Sequence, residues 1–296
     1  MTSTSKTIIF FGTEDFSATV LTRLIEGGYR IAAVVTKPDT KRGRGHQLAM
    51  PLVKEIALKH GIEVWQPQKV AEINERIAAL GDVAGVLVSY GKIIPKSTIA
   101  LFNPGIINVH PSLLPKYRGP SPIESAIANG DSKTGVSIMQ LSPEMDAGPV
   151  YAVREYQLTG TETRPELYVS LADFGASLLL QVLTEILNGD LNPTTQDESQ
   201  ATYCKLLSKD DADLDLTVLG AAKAEQLIRA HLGFPKSKLT INGHTIIVTK
   251  AHVSEQQKTP LDLLCADGAY LSIDELIAPS GRSMNQAAFL RGYTVA

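Results

Sequence analysis

Cysteine, tryptophan and net charge are all scarce in this sequence. Its two cysteines, Cys204 and Cys265, lie far apart with neither pairing nor ligand spacing, which excludes a disulfide framework and a cysteine zinc site. Six histidines show no ligand-like cluster, so no metal is expected. Apolar stretches such as Asp82 to Ser89 fall far short of the roughly 20 residues that cross a bilayer. Met1 to Lys6 leads into only a brief apolar run before Gly12, which is no secretory segment. Gly12 stands without the further glycines of a dinucleotide fingerprint, and no glycine-rich loop ends in Lys-Ser or Lys-Thr, so nucleotide-phosphate loops are excluded. Lys plus Arg (28) nearly balances Asp plus Glu (31), leaving a formal charge of −3, so a polyanion would have to meet a local basic patch. These absences predict a cytoplasmic chain with no membrane association and no DNA partner.

What is present, in 296 residues of which 44% are apolar and 20% charged, suits one or two packed cores. Lys6 to Phe11 is a β-rich run, and Thr13 to Asp15 then supplies a cap and first-turn acids for a helix reaching Ile25. Tyr29 to Thr36 reads as a strand, Pro51 to His60 as a helix and Ile62 to Gln66 as a third strand. Val83 to Ser89 and Ile106 to His110 continue with near-continuous apolar runs, as parallel strands covered on both faces require. The order predicts an α/β fold with a Rossmann-like, doubly wound, mostly parallel sheet. Arg164 to Leu187 carries Leu167, Leu171, Phe174, Leu178 and Val182 at helical spacing. The polar, aperiodic stretch Asn188 to Thr202 is the linker candidate. Beyond it lie a helix over about 219–231 and short apolar runs punctuated by Asn242-Gly243 and Asp267-Gly268, both strong hairpin signals. A smaller β-barrel domain is expected there, giving boundaries of 1–189, a linker at 190–207 and 208–296.

Chemistry concentrates at Asn108-Val-His110-Pro111. Side chains alternate along a strand, so Asn108 and His110 share one side, and Pro111 ends the strand just beyond them. An amide and an imidazole are thus offered at the carboxyl edge of the sheet, where open α/β folds bind ligands. A second segment, Leu141 to Pro149, holds Asp146 among turn formers. A carboxylate beside an imidazole raises its basicity and orients it, as acid–base work near neutral pH requires. Taken on residues alone, a polar strand end and a turn-capping aspartate fit as well.

The ensemble narrows the choice. Asn108-x-His110, Ser112-Leu-Leu-Pro115, Tyr117-Arg-Gly119, Gly130-Asp131, Thr134-Gly-Val136 and Met145-Asp-Ala-Gly-Pro149, in that order, resemble the folate-dependent formyltransferases. Arg118 to Ile123, Phe11-Gly-Thr13, Lys37-Pro-Asp39 with Gly43-Arg-Gly45, Tyr90-Gly91 with Ile93-Ile-Pro95, and Thr202-Tyr203 with Leu207-Ser-Lys209 are similar to the branch that formylates initiator methionyl-tRNA. The likeness runs through Ile228-Arg-Ala230 to Pro279–Met284 and so spans nearly the whole chain.

The resemblance implies that Asn108, His110 and Asp146 are catalytic and that 10-formyltetrahydrofolate is the formyl donor. It implies a folate site along Tyr90, Ile93, Ile94, Ser112, Leu113, Leu114 and Pro115. It also implies that the loop from Lys37 to His46, where Lys37, Lys41, Arg42 and Arg44 face only Asp39, enters the tRNA acceptor stem with Arg44 as its key arginine. The last domain is then an OB-like barrel whose Arg229, Lys236 and Lys238 track the tRNA backbone. Residues from 205 onward balance their acids and bases, so these cations would form one face rather than a basic domain. Pro111 stands where that branch usually has glycine, Gly233-Phe-Pro235 where it has tryptophan between prolines, and Leu216 replaces a second usual tryptophan. Two competing readings are a sugar or small-amine N-formyltransferase using the same donor, and a non-catalytic RNA-binding protein.

Overall fold

A computed structural model describes residues 6–42 and 47–293. In chain order it forms β1 (Thr7–Gly12), α1 (Asp15–Glu26), β2 (Ile31–Val35), β3 (Thr40–Arg42), β4 (Gln47–Ala49), α2 (Leu52–Lys59), β5 (Glu63–Trp65), α3 (Asn74–Ala79), β6 (Val83–Val88), α4 (Lys96–Ile99) and β7 (Ile106–His110). It continues with α5 (Pro122–Ala128), β8 (Lys133–Gln140), β9 (Val150–Gln157), α6 (Arg164–Asn188), α7 (Ala221–Ala230), β10 (Lys238–Ile241), β11 (His244–Ser254), β12 (Asp262–Leu264), β13 (Tyr270–Ile277), β14 (Ser283–Asn285) and α8 (Gln286–Gly292). The chain divides into two compact units, one of residues 1–119, 135–156 and 168–203, the other of 120–134, 157–167 and 204–296.

The first unit carries a seven-stranded sheet in the order β5-β2-β1-β6-β7-β8-β9. The strands from β5 to β7 run parallel, and β8 returns antiparallel against β7. Ile8, Ile9, Phe10 and Phe11 of the central β1 are fully buried, which is why that strand is apolar on both faces. The strand order reverses at β1, so the crevice of this sheet opens beyond the carboxyl ends of β1 and β6. There Thr13, expected to cap α1, instead donates its hydroxyl to the Tyr90 carbonyl at 3.0 Å and ties the two strand ends together. No side-chain cap bonds the start of α1. α6 buries Leu171, Ala176, Leu179, Leu183 and Ile186, while Phe174 and Val182 lie on the flank of that face. By length and composition alone this 25-residue helix is long and apolar enough to cross a membrane, though Asp173 and Glu185 interrupt its apolar run. Its buried side chains belong to the core of the fold.

The second unit holds an antiparallel sheet, β10-β11-β13-β12 with β14 on β13, curled into a half-barrel. Its core is Ile246, Leu261, Leu271, Ile273, Leu276 and Phe289, all fully buried. Asn242 and Gly243 both adopt positive φ (48° and 76°), the backbone that a two-residue hairpin turn demands, and they join β10 to β11 as expected. Asp267 has a second use, since its carboxylate accepts the Ala221 N–H at 3.1 Å and caps α7. β11 runs on to Ser254, with its register against β13 shifted around Lys250. α5, unforeseen from the sequence, buries Pro122, Ile123, Ala126 and Ile127. It packs on α7, where Lys223 Nζ bonds the Ala128 carbonyl and Asn129 Oδ1.

Candidate active site

β7 carries Asn108 and His110 into the site. It lies between β6 and β8, with Asn108 paired to Leu87 and Met139 and His110 opposite Ser137. Both residues are only 5% exposed. The Asn108 amide makes no hydrogen bond with any described residue. A buried amide left in that condition retains both N–H groups for a ligand oxygen.

Two groups hold the imidazole and the carboxylate. His110 Nε2 lies 2.9 Å from the Tyr117 carbonyl, which can only accept, so this nitrogen carries a proton. Nδ1 faces Asp146 Oδ2 at 3.8 Å, within ion-pair reach but beyond a hydrogen bond. That oxygen accepts the Gly119 N–H at 2.8 Å. Asp146 itself has φ 47°, in the left-handed region where aspartate is enriched among non-glycine residues. The following turn is compressed: a Cβ on Gly148 would stand 1.9 Å from the Gln140 carbonyl oxygen, so only glycine fits there.

Two residues that sequence reasoning did not assign to the site complete it. Gln196 is 8% exposed, and its Nε2 donates to the carbonyls of Asp146 and Gly148, both at 2.7 Å. Its Oε1 accepts from Arg118 Nε (3.1 Å) and Nη2 (2.9 Å). Arg118 is fully buried and also grips Glu198 through both terminal nitrogens (2.9 and 2.7 Å). Those bonds to Glu198 hold the guanidinium above its already high ordinary value. The stretch expected to link two domains is therefore bound down: Val150 and Thr194 exchange backbone bonds, and Arg118 N–H donates to the Thr202 carbonyl. Single bridges of this kind leave no hydrophobic period to read.

The turn after β7 is fixed from β8. Ser137 Oγ donates to the Ser112 carbonyl at 2.7 Å and accepts the Leu114 N–H at 3.1 Å. A Cβ on Gly135 would lie 2.4 Å from Leu113 Cδ2, so glycine there lets the leucine close down. Ser112 and Leu114 are buried, whereas Leu113 and Pro115 are half-buried. Ile93 is 90% exposed and Ile94 is buried. The Tyr90 side chain lies in the core, edge-on to Phe11, and burial pushes its phenol up to about 12. Two open clefts, of about 620 Å³ around Leu214, Leu239 and Leu263 and about 570 Å³ around Phe16, Ile56 and Tyr168, are lined by neither Asn108, His110 nor Asp146.

The basic residues separate into groups. Lys41 and Arg42 belong to β3, which pairs with β4 as a short hairpin where a pliable loop was expected. Arg44 lies outside the described residues. Asp39, the lone acid of that segment, is bound by Lys54 and Gln66, and these bonds, Lys54's first, hold its carboxyl below the usual range. Lys236 is exposed and Lys238 half-buried. Arg229 is not a free cation: it bonds Glu225 through Nε and Nη2 and the Glu162 carbonyl through Nη1, with 13% of its side chain exposed. Among the described residues no cluster of histidine, cysteine and acidic groups could hold a metal.

A family model for formyl transferases matches residues 5–183. The chain is 36% identical over 302 residues to the methionyl-tRNA formyltransferase of Levilactobacillus brevis, covering 97% of this chain and 96% of that one. It is 43% identical over 252 residues to the methionyl-tRNA formyltransferase of Dictyoglomus turgidum, covering 84% and 80%. Among solved structures, HypX from Aquifex aeolicus in complex with tetrahydrofolic acid matches 96% of this chain with a TM-score of 0.66 at 17% identity, and the chain spans 46% of it. An N-formyltransferase from Helicobacter canadensis in complex with folinic acid and dTDP-3-aminofucose gives a TM-score of 0.67 at 16% identity over 90% of this chain and 98% of that one. At those identities the likeness concerns the fold.

Proposed function

The chain belongs to the formyl transferase family, among its methionyl-tRNA formyltransferases, and on that premise we propose that it moves a formyl group from 10-formyltetrahydrofolate to the α-amino group of initiator methionyl-tRNA. One observation carries the chemistry: an unpaired Asn108 amide and the His110 ring on one face of β7, with the Asp146 carboxylate 3.8 Å from Nδ1. The folate supplies the formyl group and a nitrogen that must depart protonated. As the amine adds it gives its proton to His110, negative charge gathers on the formyl oxygen, and the Asn108 N–H together with the protonated His110 so formed stabilises it before that proton passes to the departing folate nitrogen. Because Nε2 is committed to the Tyr117 carbonyl, Nδ1 is the ring nitrogen that exchanges a proton, and Asp146 stabilises the imidazolium that results. The donor set suits the folate. The exposed Ile93 and the turn from Ser112 to Pro115, fixed by Ser137, offer apolar contact and backbone edges to a flat heterocycle.

In this reading residues 1–189 perform transfer, 208–296 contact tRNA, and 190–207 join them with the first part of the join bound to the catalytic unit. Lys41, Arg42, Arg44, Lys236 and Lys238 are the proposed tRNA contacts. Arg229 leaves that set. The activity accords with a cytoplasmic enzyme of translation initiation. The deciding experiment offers purified protein and 10-formyltetrahydrofolate to charged initiator tRNA, charged elongator tRNA or a nucleotide amino sugar. Formylmethionyl-tRNA from the initiator alone is expected, and His110→Ala should abolish it while leaving the fold intact. Preference for the amino sugar would move the chain to the sugar branch, and the absence of any product would leave an RNA-binding role.

A further inference from the structure

Asp146 faces a physical difficulty that its own segment does not solve. A left-handed aspartate in a turn of small residues has other accessible conformations, and the carboxylate makes one backbone bond, to Gly119. Its backbone is held from elsewhere. Gln196 bonds the carbonyls on both sides of Ala147 at 2.7 Å, so the turn is pinned where the side chain leaves it. The orientation of that amide is fixed by its partners, since carbonyls accept only and a guanidinium donates only.

The other end of Gln196 reaches the imidazole. Its Oε1 is held by Arg118, whose chain neighbours Tyr117 and Gly119 supply the carbonyl for His110 Nε2 and the N–H for Asp146 Oδ2. The stretch from Gln196 to Thr202 holds this segment a second time: Tyr117 N–H donates to Thr202 Oγ1 at 2.9 Å and Arg118 N–H to the Thr202 carbonyl at 2.9 Å. One buried amide therefore couples the backbone of the acid to the backbone that orients both the acid and the base.

We propose that Gln196 is a positioning residue for formyl transfer, fixing the Asp146 turn and the Tyr117–Gly119 segment in one register so that the carboxylate stays facing His110. The inference rests on the formyl-transfer reading and deepens it. Both ends of the Gln196 amide are committed to protein groups, so its effect falls on turnover rather than on binding. Misplacement of a catalytic group by about 1 Å costs on the order of a hundredfold in rate.

The test uses the full chain and two variants. Gln196→Glu keeps the length and the acceptor for Arg118 but removes both N–H donors to residues 146 and 148. Gln196→Met, of similar length and without charge, removes donor and acceptor alike. Each is assayed for kcat and for KM toward 10-formyltetrahydrofolate and charged initiator tRNA, with thermal unfolding alongside. The expected result for Gln196→Glu is a fall in kcat of about a hundredfold, both KM values within about twofold of wild type, and retained cooperative unfolding. Combined with Asp146→Asn, the substitution should lower kcat no further than Asp146→Asn alone, because it acts through that carboxylate. A kcat within about threefold of wild type in either folded variant overturns the proposal. So does an undiminished loss in the Asp146→Asn background, or a loss confined to KM. If Gln196→Glu does not fold, Gln196→Met decides by the same criteria, and if neither folds, the amide is structural and the proposal falls. A wild-type chain that makes no formylmethionyl-tRNA would instead sink the function itself, so the two failures are distinguishable.

Discussion

Replacing Asp146 by asparagine removes one charge and almost nothing else. The Gly119 N–H that now meets Oδ2 at 2.8 Å would still find an amide oxygen, and the bonds from Gln196 to the carbonyls of Asp146 and Gly148 involve only backbone acceptors. What disappears is the field at His110 Nδ1, 3.8 Å away, where the two side chains are 6% and 17% exposed. With an effective dielectric near 20, a unit charge at that distance is worth about 4 kcal/mol to an imidazolium. That figure is an upper bound, because the carboxylate retains some contact with water and an amide dipole replaces part of the charge.

The stabilisation matters most when the ring carries its second proton during transfer. Asp146→Asn should accordingly lower kcat by about a hundredfold to a thousandfold, within the limit that about 4 kcal/mol sets. Stability should stay close to wild type. Single-turnover formylation with enzyme in excess over charged initiator tRNA isolates the chemical step from product release, and thermal unfolding checks the fold. A rate within about threefold of wild type would refute the assignment of Asp146 as the electrostatic partner of His110. A large loss of stability would refute the claim that its structural bonds survive in the asparagine variant.

Two further expectations concern the second unit. Arg229→Ala leaves Glu225 without its cation and should cost about 1–3 kcal/mol of stability with little change in tRNA affinity, whereas Lys236→Ala should leave stability unchanged and weaken tRNA binding in a salt-dependent way; thermal unfolding and binding measured at several salt concentrations separate them, and the opposite pattern would restore Arg229 as a contact. His231 is buried beside Ser237, and burial holds its imidazole below the usual value, with Asp211 opposing the shift and Lys205 adding to it. Its unfolded form then binds a proton more readily, so its contribution is complete above about pH 6.5 and is lost as pH falls from there through the depressed native value, with a slope of at most about 1.4 kcal/mol per pH unit. The stability difference between wild type and His231→Gln, measured from pH 7.5 to 5, should shrink on acidification, and a pH-independent difference would count against the shift.

Legibility of the sequence followed how each residue is held. β1 and β6 could be read because strands buried on both faces become continuous apolar runs, and β7 because a period of two sends Asn108 and His110 to one side. The Asn242-Gly243 hairpin was legible because its positive φ values admit few residues. Residues held by isolated long-range bonds were not legible. Gln196 lies in a polar stretch without period, and its role becomes visible only when the carbonyls of residues 146 and 148 and the Arg118 fork are placed around it. Surroundings were equally illegible: the Tyr90 side chain belongs to the core of the first unit and Arg229 to an internal ion pair, and neither leaves a period in the sequence.

That asymmetry follows from the demands on the site. Asn108 must keep its amide free of protein partners to serve a ligand, so its strand has to fix it by backbone pairing alone, and β7 does so between β6 and β8. Asp146 must keep its carboxylate turned toward a ring it does not hydrogen-bond, so its orientation has to come from its backbone and from Gly119. A turn cannot provide that stiffness through its own short-range bonds, because left-handed aspartate and glycine gain little from staying in place. The buried amide of Gln196 and the buried guanidinium of Arg118 supply it, and both are costly to bury unless their bonds are made. The bonds to Asp146 and Gly148 on one side, and to Gln196 and Glu198 on the other, form one connected buried network, in which each bond polarises its neighbours.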